Sequence, residues 1–333
     1  MKKFLIKKIR CLPQFRVFAK KSISLKTFNW LENGSEWGNT AAQNLKAFKK
    51  IKIVPKIFSY NSKTFAITKL FNVKLSIPLI IAPMGHLTQF HKDGEAELAL
   101  GAQKFSTFVT ISALSRLSLK EIRNKAKSSD ILYQIYFYND KKWVEREINK
   151  ALEIGVKGFV FTVDCPATSY KYLTLSDNYD ARKFGRRSNF SNVKKKIFLP
   201  SWKDITWLKK KINGKPLIVK GVLDPNDAKK AFLYGADGLW VSNHGGRAFE
   251  SNLSSLEMLP KIRKKVGKNK LIIFDGGVRS GSDILKAVHL GANIVSIGRP
   301  AIYGLILNGS DGVNQTLEMF KQEYLSAKKL SGY

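Results

Sequence analysis

Residues 271–299 read LIIFDGGVRSGSDILKAVHLGANIVSIGR. An apolar run, Leu271–Phe274, ends in Asp275-Gly276-Gly277. A helix start follows at Ser280-Gly281-Ser282-Asp283, and apolar residues then recur every three or four positions from Ser282 to Leu290. Gly291 sits where the helix needs a left-handed residue, and a second apolar run, Ile294–Ile297, ends in Gly298-Arg299. Strand, helix and strand in that order, with short connections, predict a parallel pair joined by a right-handed crossover.

The same unit recurs upstream. Further apolar runs stand at Pro78–Ala82, Thr107–Ile111, Ile131–Phe137, Gly158–Val163, Pro216–Val219 and Gly238–Val241. Amphipathic stretches separate several of them: Glu95–Gln103, Val144–Glu153 and Asn226–Tyr234, the last opened by Pro225-Asn226-Asp227. Gly101, Gly155 and Gly235 fall where such helices should end. Eight strands alternating with helices predict an α/β fold, a (β/α)₈ TIM barrel occupying residues 78–333. Residues 1–77 are expected as a helical segment with a small strand or hairpin, packed on the barrel. The connection from Cys165 to Lys215, after the fourth strand, is long and lies on the catalytic face.

The chain has 333 residues, 44% of them hydrophobic, enough for one large core. Two cysteines, Cys11 and Cys165, give no disulfide framework, so a reducing compartment is expected. The formal net charge is +33, which favours anionic partners. Residues 1–31 carry nine Lys or Arg and no acid, and residues 181–196 carry seven and no acid. The first is basic like a targeting peptide, but Phe4-Leu5-Ile6 is too short for a secretory core. No run approaches the about 18 apolar residues of a membrane span. The expectation is a cytoplasmic protein, with an anionic inner-membrane face as a candidate peripheral partner. The basic runs lack the interleaved aromatics of a single-strand platform, so no nucleic acid is expected.

Barrels of this kind carry their chemistry at the carboxyl ends of the strands. Read in order, those ends offer Met84-Gly85, Ser112, Gln134 with Tyr136, Thr162 with Asp164, Lys220, Ser242 to Arg247, Asp275 to Arg279, and Gly298-Arg299. The last two suit a phosphate, which glycine-rich backbone can approach and arginine can fork. In VSNHGGR (241–247) an imidazole and a guanidinium stand three residues apart. His244 can exchange a proton near neutral pH, and Arg247 can hold a carboxylate in two-point contact. His86, His91 and His289 are taken as structural, and Cys165 as a buried strand-end thiol.

These segments resemble the FMN-dependent 2-hydroxy-acid oxidase and dehydrogenase family, which includes glycolate oxidase and the lactate and mandelate dehydrogenases. IAPMG (81–85), YQIY (133–136), FTVDCP (161–166), PLIVKGV (216–222), VSNHGGR, IFDGGVRSGSD (273–283), GRP (298–300) and LSG (330–332) occur in the family's order. ENGSEWGNTAAQNLKAF (32–48) resembles its leading segment, so the likeness spans roughly residues 28–332.

The resemblance implies FMN as cofactor. Pro83, Met84, Gly85, Ser112, Gln134 and Thr162 would lie around the flavin ring, with Lys220 near N1 and O2 and Ser242 at the ring or ribityl chain. Asp275, Gly276, Gly277, Arg279, Gly298 and Arg299 would hold the ribityl chain and phosphate. His244 would take the substrate proton, Asp164 would stabilise its imidazolium, Tyr136 would touch the substrate, and Arg247 would bind the carboxylate. Three positions depart from the family. Lys171 stands for a second carboxylate-binding arginine and lacks the planar fork. Trp30 stands for a substrate tyrosine, and Leu114 for an aromatic residue that some members place over the substrate.

The function so implied is oxidation of a small L-2-hydroxy acid to the 2-oxo acid by a homo-oligomeric flavoprotein. The electron acceptor is oxygen, a quinone or an electron-transfer protein. One alternative is another FMN barrel enzyme such as a type 2 isopentenyl diphosphate isomerase. The other is a basic, non-catalytic binding protein on a degenerate barrel.

Overall fold

The structure, a computed structural model, describes residues 8–59, 68–137, 140–183 and 199–333. Three helices, Leu12–Ser22, Leu25–Glu32 and Asn39–Lys50, lead into an antiparallel hairpin of β1 (Thr68–Leu70) and β2 (Val73–Leu75). Eight parallel strands follow: β3 (Leu79–Met84), β4 (Phe108–Ser112), β5 (Asp130–Ile135), β6 (Gly158–Thr162), β7 (Leu217–Val222), β8 (Gly238–Val241), β9 (Leu271–Phe274) and β10 (Ile294–Ile297). They pair in chain order, and β10 closes on β3. The predicted (β/α)₈ barrel is the observed one.

Strand alternation divides the core in two. Leu79, Ile81, Val109, Ile111, Ile131, Phe159, Val219, Leu239 and Val295 pack outward among helix residues. A separate cluster takes Ile80, Phe108, Leu132, Val160, Ile218, Trp240, Ile273 and Ile294, one from each strand, together with Leu70 and Leu75 of the hairpin. That cluster fills the barrel lumen, and the hairpin closes its amino-terminal end. Ala82 extends that cluster on β3, while two residues further on the other seven strands, or just past them, the same lumen parity gives Thr110, Gln134, Thr162, Lys220, Ser242, Asp275 and Ser296, all buried. An apolar floor therefore carries a polar layer, and the polar layer faces the carboxyl end.

Some local expectations change. β7 extends past Val219 to Val222, because Lys220 and Gly221 belong to the strand, with a register shift between Lys220 and Val222. Gly101 does not end its helix, which runs Gly94–Phe105 and finishes on Ser106 at φ 58°. Gly101 instead lets two helices touch, since a Cβ there would lie 2.5 Å from Val313 Cβ. The connection from Cys165 to Lys215 is not bare loop. It holds a helix at Tyr172–Ser176, a 3₁₀ turn at Ala181–Lys183 and a helix at Trp202–Lys211. Most of the basic run 181–196 lies outside the described residues. No helix among them is long and apolar enough to cross a membrane.

The long terminal helix, Arg299–Ser331, breaks at Asn308 and Gly309. Glu97 caps the second part, accepting from the Ser310 N–H at 2.6 Å. The helix start at 280–283 is a capping box, with Ser280 and Asp283 bonding each other's backbone.

Candidate active site

The helix Leu25–Glu32 ends beneath two arginines. A helix leaves its last carbonyls without intrahelical donors and carries negative partial charge there. Arg247 Nη1 donates to the carbonyls of Trp30 at 2.9 Å and Asn33 at 2.7 Å. Arg299 donates through Nε to Leu31 O at 3.0 Å, through Nη2 to Asn33 O at 3.1 Å and through Nη1 to Gly245 O at 3.2 Å. Arg247 also lies 5.0 Å from the centre of the Trp30 ring. Among the described residues its Nε and Nη2 have no partner, so one edge of the guanidinium remains for a carboxylate. Burial and then Arg299 pull its pKa down to about 9. The loop carrying it rests on the helix Asn39–Lys50 at Gly246, which has φ 76°. A Cβ there would stand 2.3 Å from the Ala41 nitrogen.

His244, after β8, faces Asp164, after β6. Nδ1 is 3.0 Å from Asp164 Oδ1 and 3.3 Å from Cys165 Sγ. Burial opposes the imidazolium, but Asp164 and Cys165 more than offset it and hold the His244 pKa at about 10. Burial likewise opposes the Asp164 charge, and His244 outweighs it, leaving that carboxyl below its usual value. Nε2 bonds to none of the described residues and is left for a ligand. Cys165 is half-buried rather than sealed in the core.

Lys171 joins the cationic side. Its backbone bridges to Glu36, and Nζ bonds Ser169 Oγ at 2.5 Å. Burial, with repulsion from Arg247, brings its pKa down to about 8. The helix Tyr172–Ser176 is fastened to the N-terminal segment through Asn33 Nδ2 to Thr174 Oγ1 at 2.8 Å and Asn29 Nδ2 to Asp177 Oδ2 at 3.0 Å. His86, expected to be structural, stands edge-on to Trp30 with centroids 6.4 Å apart, and its Nδ1 accepts from Arg116 Nε at 3.2 Å. Tyr136 is half-buried just beyond β5.

In the polar layer, Lys220 Nζ donates to Ser242 Oγ at 2.7 Å and pairs with Asp275 at 3.4 Å. Ser242 Oγ in turn donates to Asp275 Oδ1 at 2.6 Å. Burial works against the Lys220 ammonium, but Asp275 and Asp164 hold its pKa above the ordinary lysine value. Ser112 Oγ donates to Gln134 Oε1 at 2.8 Å. Gln134 Nε2 and Thr162 Oγ1 are buried without a hydrogen-bond partner among the described residues. Buried donors of this kind call for a hydrogen-bonding ligand above the layer.

Pro83 and Met84 end β3, and a Cβ on Gly85 would meet Leu114 Cβ at 2.7 Å. At Gly276 and Gly277 the close approach is to protein rather than to an anion. Added Cβ atoms would stand 2.3 Å from Ser255 Oγ and from Asn44 O. Arg279 and Arg299 repel each other, and Gly298 precedes Arg299 at the helix start. Two neighbouring guanidinium groups at a helix N-terminus suit a phosphate. The layer's unpartnered donors and this cation pair together fit a flavin mononucleotide.

The chain matches the FMN-dependent dehydrogenase family over residues 19–333. It belongs to that family. As an FMN-dependent dehydrogenase it is similar to a 2-hydroxyacid oxidase of Dictyostelium discoideum, 34% identical over 94% of this chain and 84% of that protein. It is 31% identical to an L-lactate dehydrogenase of Caulobacter sp. (strain K31), over 97% of this chain and 95% of that protein. Among solved structures, a lactate oxidase of Pediococcus acidilactici superposes with TM-score 0.91 at 30% identity, covering 98% of this chain and 91% of the other. Mandelate oxidase superposes with TM-score 0.91 at 29% identity, covering 98% and 95%. The family match sets aside the isomerase reading.

Trp30 was expected at the site, but the part its neighbours in the N-terminal segment play was not legible beforehand. Leu31 and Asn33 act through backbone carbonyls, which leave no side-chain signal.

Proposed function

We propose that this FMN-dependent dehydrogenase oxidises a small L-2-hydroxy acid to the 2-oxo acid, with His244 as the base. One observation carries it: the His244–Asp164 pair and the Arg247–Lys171 cation pair come together around Cys165. A substrate with a carboxylate next to a CH–OH group needs both.

Arg247 offers its Nε and Nη2 edge to the carboxylate, and Lys171 adds a point charge. Neutral His244 takes the hydroxyl proton at Nε2. Asp164, bonded to Nδ1, fixes the ring and stabilises the imidazolium that results. Tyr136 orients the substrate oxygen. Trp30, with Leu114 and His86, bounds the side-chain pocket and favours a bulkier or more apolar acid than glycolate.

FMN, when bound, accepts the electron pair. Pro83, Met84, Gly85, Ser112, Gln134, Thr162 and Lys220 would hold its ring. Ser242, Asp275, Gly276, Gly277, Arg279, Gly298 and Arg299 would hold the ribityl chain and phosphate. An acceptor such as oxygen, a quinone or an electron-transfer protein completes the cycle. We also assign the chain to the cytoplasm as a homo-oligomer, with its basic segments drawn to anionic bilayers. Vesicle sedimentation at low salt tests the last point, and equal binding to neutral and anionic vesicles removes it.

The decisive experiment adds short, branched and aryl 2-hydroxy acids to the holoprotein without oxygen. Bleaching of the flavin by at least one of them is expected. A flavin that stays oxidised with all of them overturns the proposal.

A further inference from the structure

We propose that Asp164, Cys165 and His244 form an inhibitory binding site for a thiophilic divalent cation such as Zn²⁺. The three ligand atoms lie close enough to share one ion. His244 Nδ1 is 3.0 Å from Asp164 Oδ1, Cys165 Sγ is 3.3 Å from Nδ1, and Sγ is 3.5 Å from Oδ1. A tetrahedral zinc with bonds of about 2.0–2.3 Å sets its ligands about 3.3–3.7 Å apart. The observed triangle therefore needs only a few tenths of an ångström of relaxation to become one face of that tetrahedron. Thiolate, imidazole and carboxylate are each ordinary zinc ligands, and the thiolate selects against magnesium and calcium.

All three residues are half-buried, so an ion can reach them from solvent. Asp164 has a second oxygen, Oδ2, that is buried without a hydrogen-bond partner among the described residues and can adjust to the ion. Three cations stand around the cluster. Lys220 acts on Asp164 and Cys165, and Lys171 and Arg247 act on Cys165. They do not bar the ion, because binding is an exchange. The dication replaces the Nδ1 proton of the imidazolium and the thiol proton, so the net charge of the cluster is unchanged. The two protons go to solvent. No bond within the protein breaks and no electron moves. The fourth position stays with water or a carboxylate.

The inhibitory half rests on His244 as the base; the binding half does not. A neutral imidazole that ligates a metal through Nδ1 carries its one proton on Nε2. It then has no lone pair there to take the substrate proton. The ion thus blocks the base without touching the flavin or the carboxylate site.

The test uses tag-free holoprotein cleared of metal with a chelator. Added Co²⁺ should give tetrahedral d–d bands at wavelengths longer than oxidised flavin absorbs, and a thiolate-to-metal charge-transfer band in the near ultraviolet, read as a difference from the metal-free holoprotein. Zn²⁺ should displace both. Zn²⁺ should also stop anaerobic flavin reduction by the 2-hydroxy acid, and chelator should restore it. In Cys165→Ala the cobalt bands should vanish, and the zinc concentration for half-inhibition should rise more than the roughly 10–100-fold that loss of a supporting partner costs. Cys165→Ser, which keeps the side-chain size, should behave alike. Absence of cobalt bands in the wild type, or equal bands in both variants, overturns the site. Bands with undiminished flavin reduction under Zn²⁺ overturn the inhibitory role, and the base assignment with it, while the ligand set stands.

Discussion

The guanidinium carbon of Arg247 lies over the Trp30 ring, 5.0 Å from its centre, while Nη1 donates to the Trp30 carbonyl at 2.9 Å. One residue thus holds the proposed carboxylate-binding group by ring and backbone together. Trp30→Leu keeps the carbonyl and removes the ring. The lost cation–π contact is worth roughly 0.5–1 kcal/mol, about two- to fivefold in the apparent substrate dissociation constant. Stopped-flow reduction against substrate concentration measures it, and an unchanged constant would place Arg247 under backbone control alone.

His244→Gln should retain FMN and lose most of the reductive half-reaction. A positioned base contributes typically about 10²–10⁴-fold. Anaerobic single-turnover reduction is the measurement. A rate equal to wild type removes His244 from proton transfer.

These titrations give an unusual pH profile. The productive free protein needs His244 neutral and both Lys171 and Arg247 charged, yet their pKa values are about 10, about 8 and about 9. Raising the pH toward 8 increases the fraction with neutral His244. Between about 8 and about 9 that gain is cancelled as Lys171 loses its proton, and above about 9 the loss of the Arg247 charge outweighs it. The log of kcat/KM should therefore climb, level near pH 8 and fall beyond about pH 9. Lys171→Met lowers kcat/KM overall but removes the first cancellation, so its climb should run on to about pH 9. A break that stays near pH 8 in Lys171→Met assigns that titration elsewhere and puts Lys171 outside the carboxylate site.

The two phosphate-side arginines should separate by phenotype. Among the described residues Arg279 bonds through its side chain only to the neighbouring Val278 carbonyl, whereas Arg299 ties Leu31, Asn33 and Gly245 together. Arg279→Ala should weaken FMN retention with little change in the melting temperature of the apoprotein. Arg299→Ala should reduce both. Riboflavin should bind worse than FMN to the wild type, and the gap should shrink in Arg279→Ala. Equal affinity of the wild type for the two flavins excludes a phosphate site here.

Gly281→Ala tests the junction between the capping box and the terminal helix. A Cβ there would lie 2.1 Å from the Tyr324 nitrogen and 2.4 Å from the Glu323 carbonyl carbon. Both are backbone atoms, so the helices must separate. A loss of roughly 1–3 kcal/mol is expected from overpacking, read as a lower denaturant midpoint at unchanged slope.

The barrel was legible because Gly238–Val241, Leu271–Phe274 and Ile294–Ile297 are unbroken apolar runs bounded by turn residues. The limit of β7 was not, because a buried lysine in a strand looks like the strand's end until its partners Ser242 and Asp275 are seen. Gly101 misled for a related reason. A glycine needed for helix contact with Val313 reads the same as a glycine that ends a helix. At the candidate site, His244 and Arg247 announce themselves in seven residues. His86 does not, since its nearness to Trp30 depends on two segments meeting. The grip of Arg299 on Leu31 spans 268 positions, a relationship that no local pattern encodes.

That span has a consequence for biosynthesis. The second arginine that binds the carbonyls of Leu31 and Asn33 follows Leu31 by 268 positions and Asn33 by 266, so it is synthesised long after them. Until then the end of the helix Leu25–Glu32 has only half its donors. A nascent or prematurely terminated chain can carry His244, Asp164 and Arg247 and still hold them on an unanchored support. Translation must pass Arg299 before the helix end is fully braced, so products that stop short of it are poor candidates for stray redox activity.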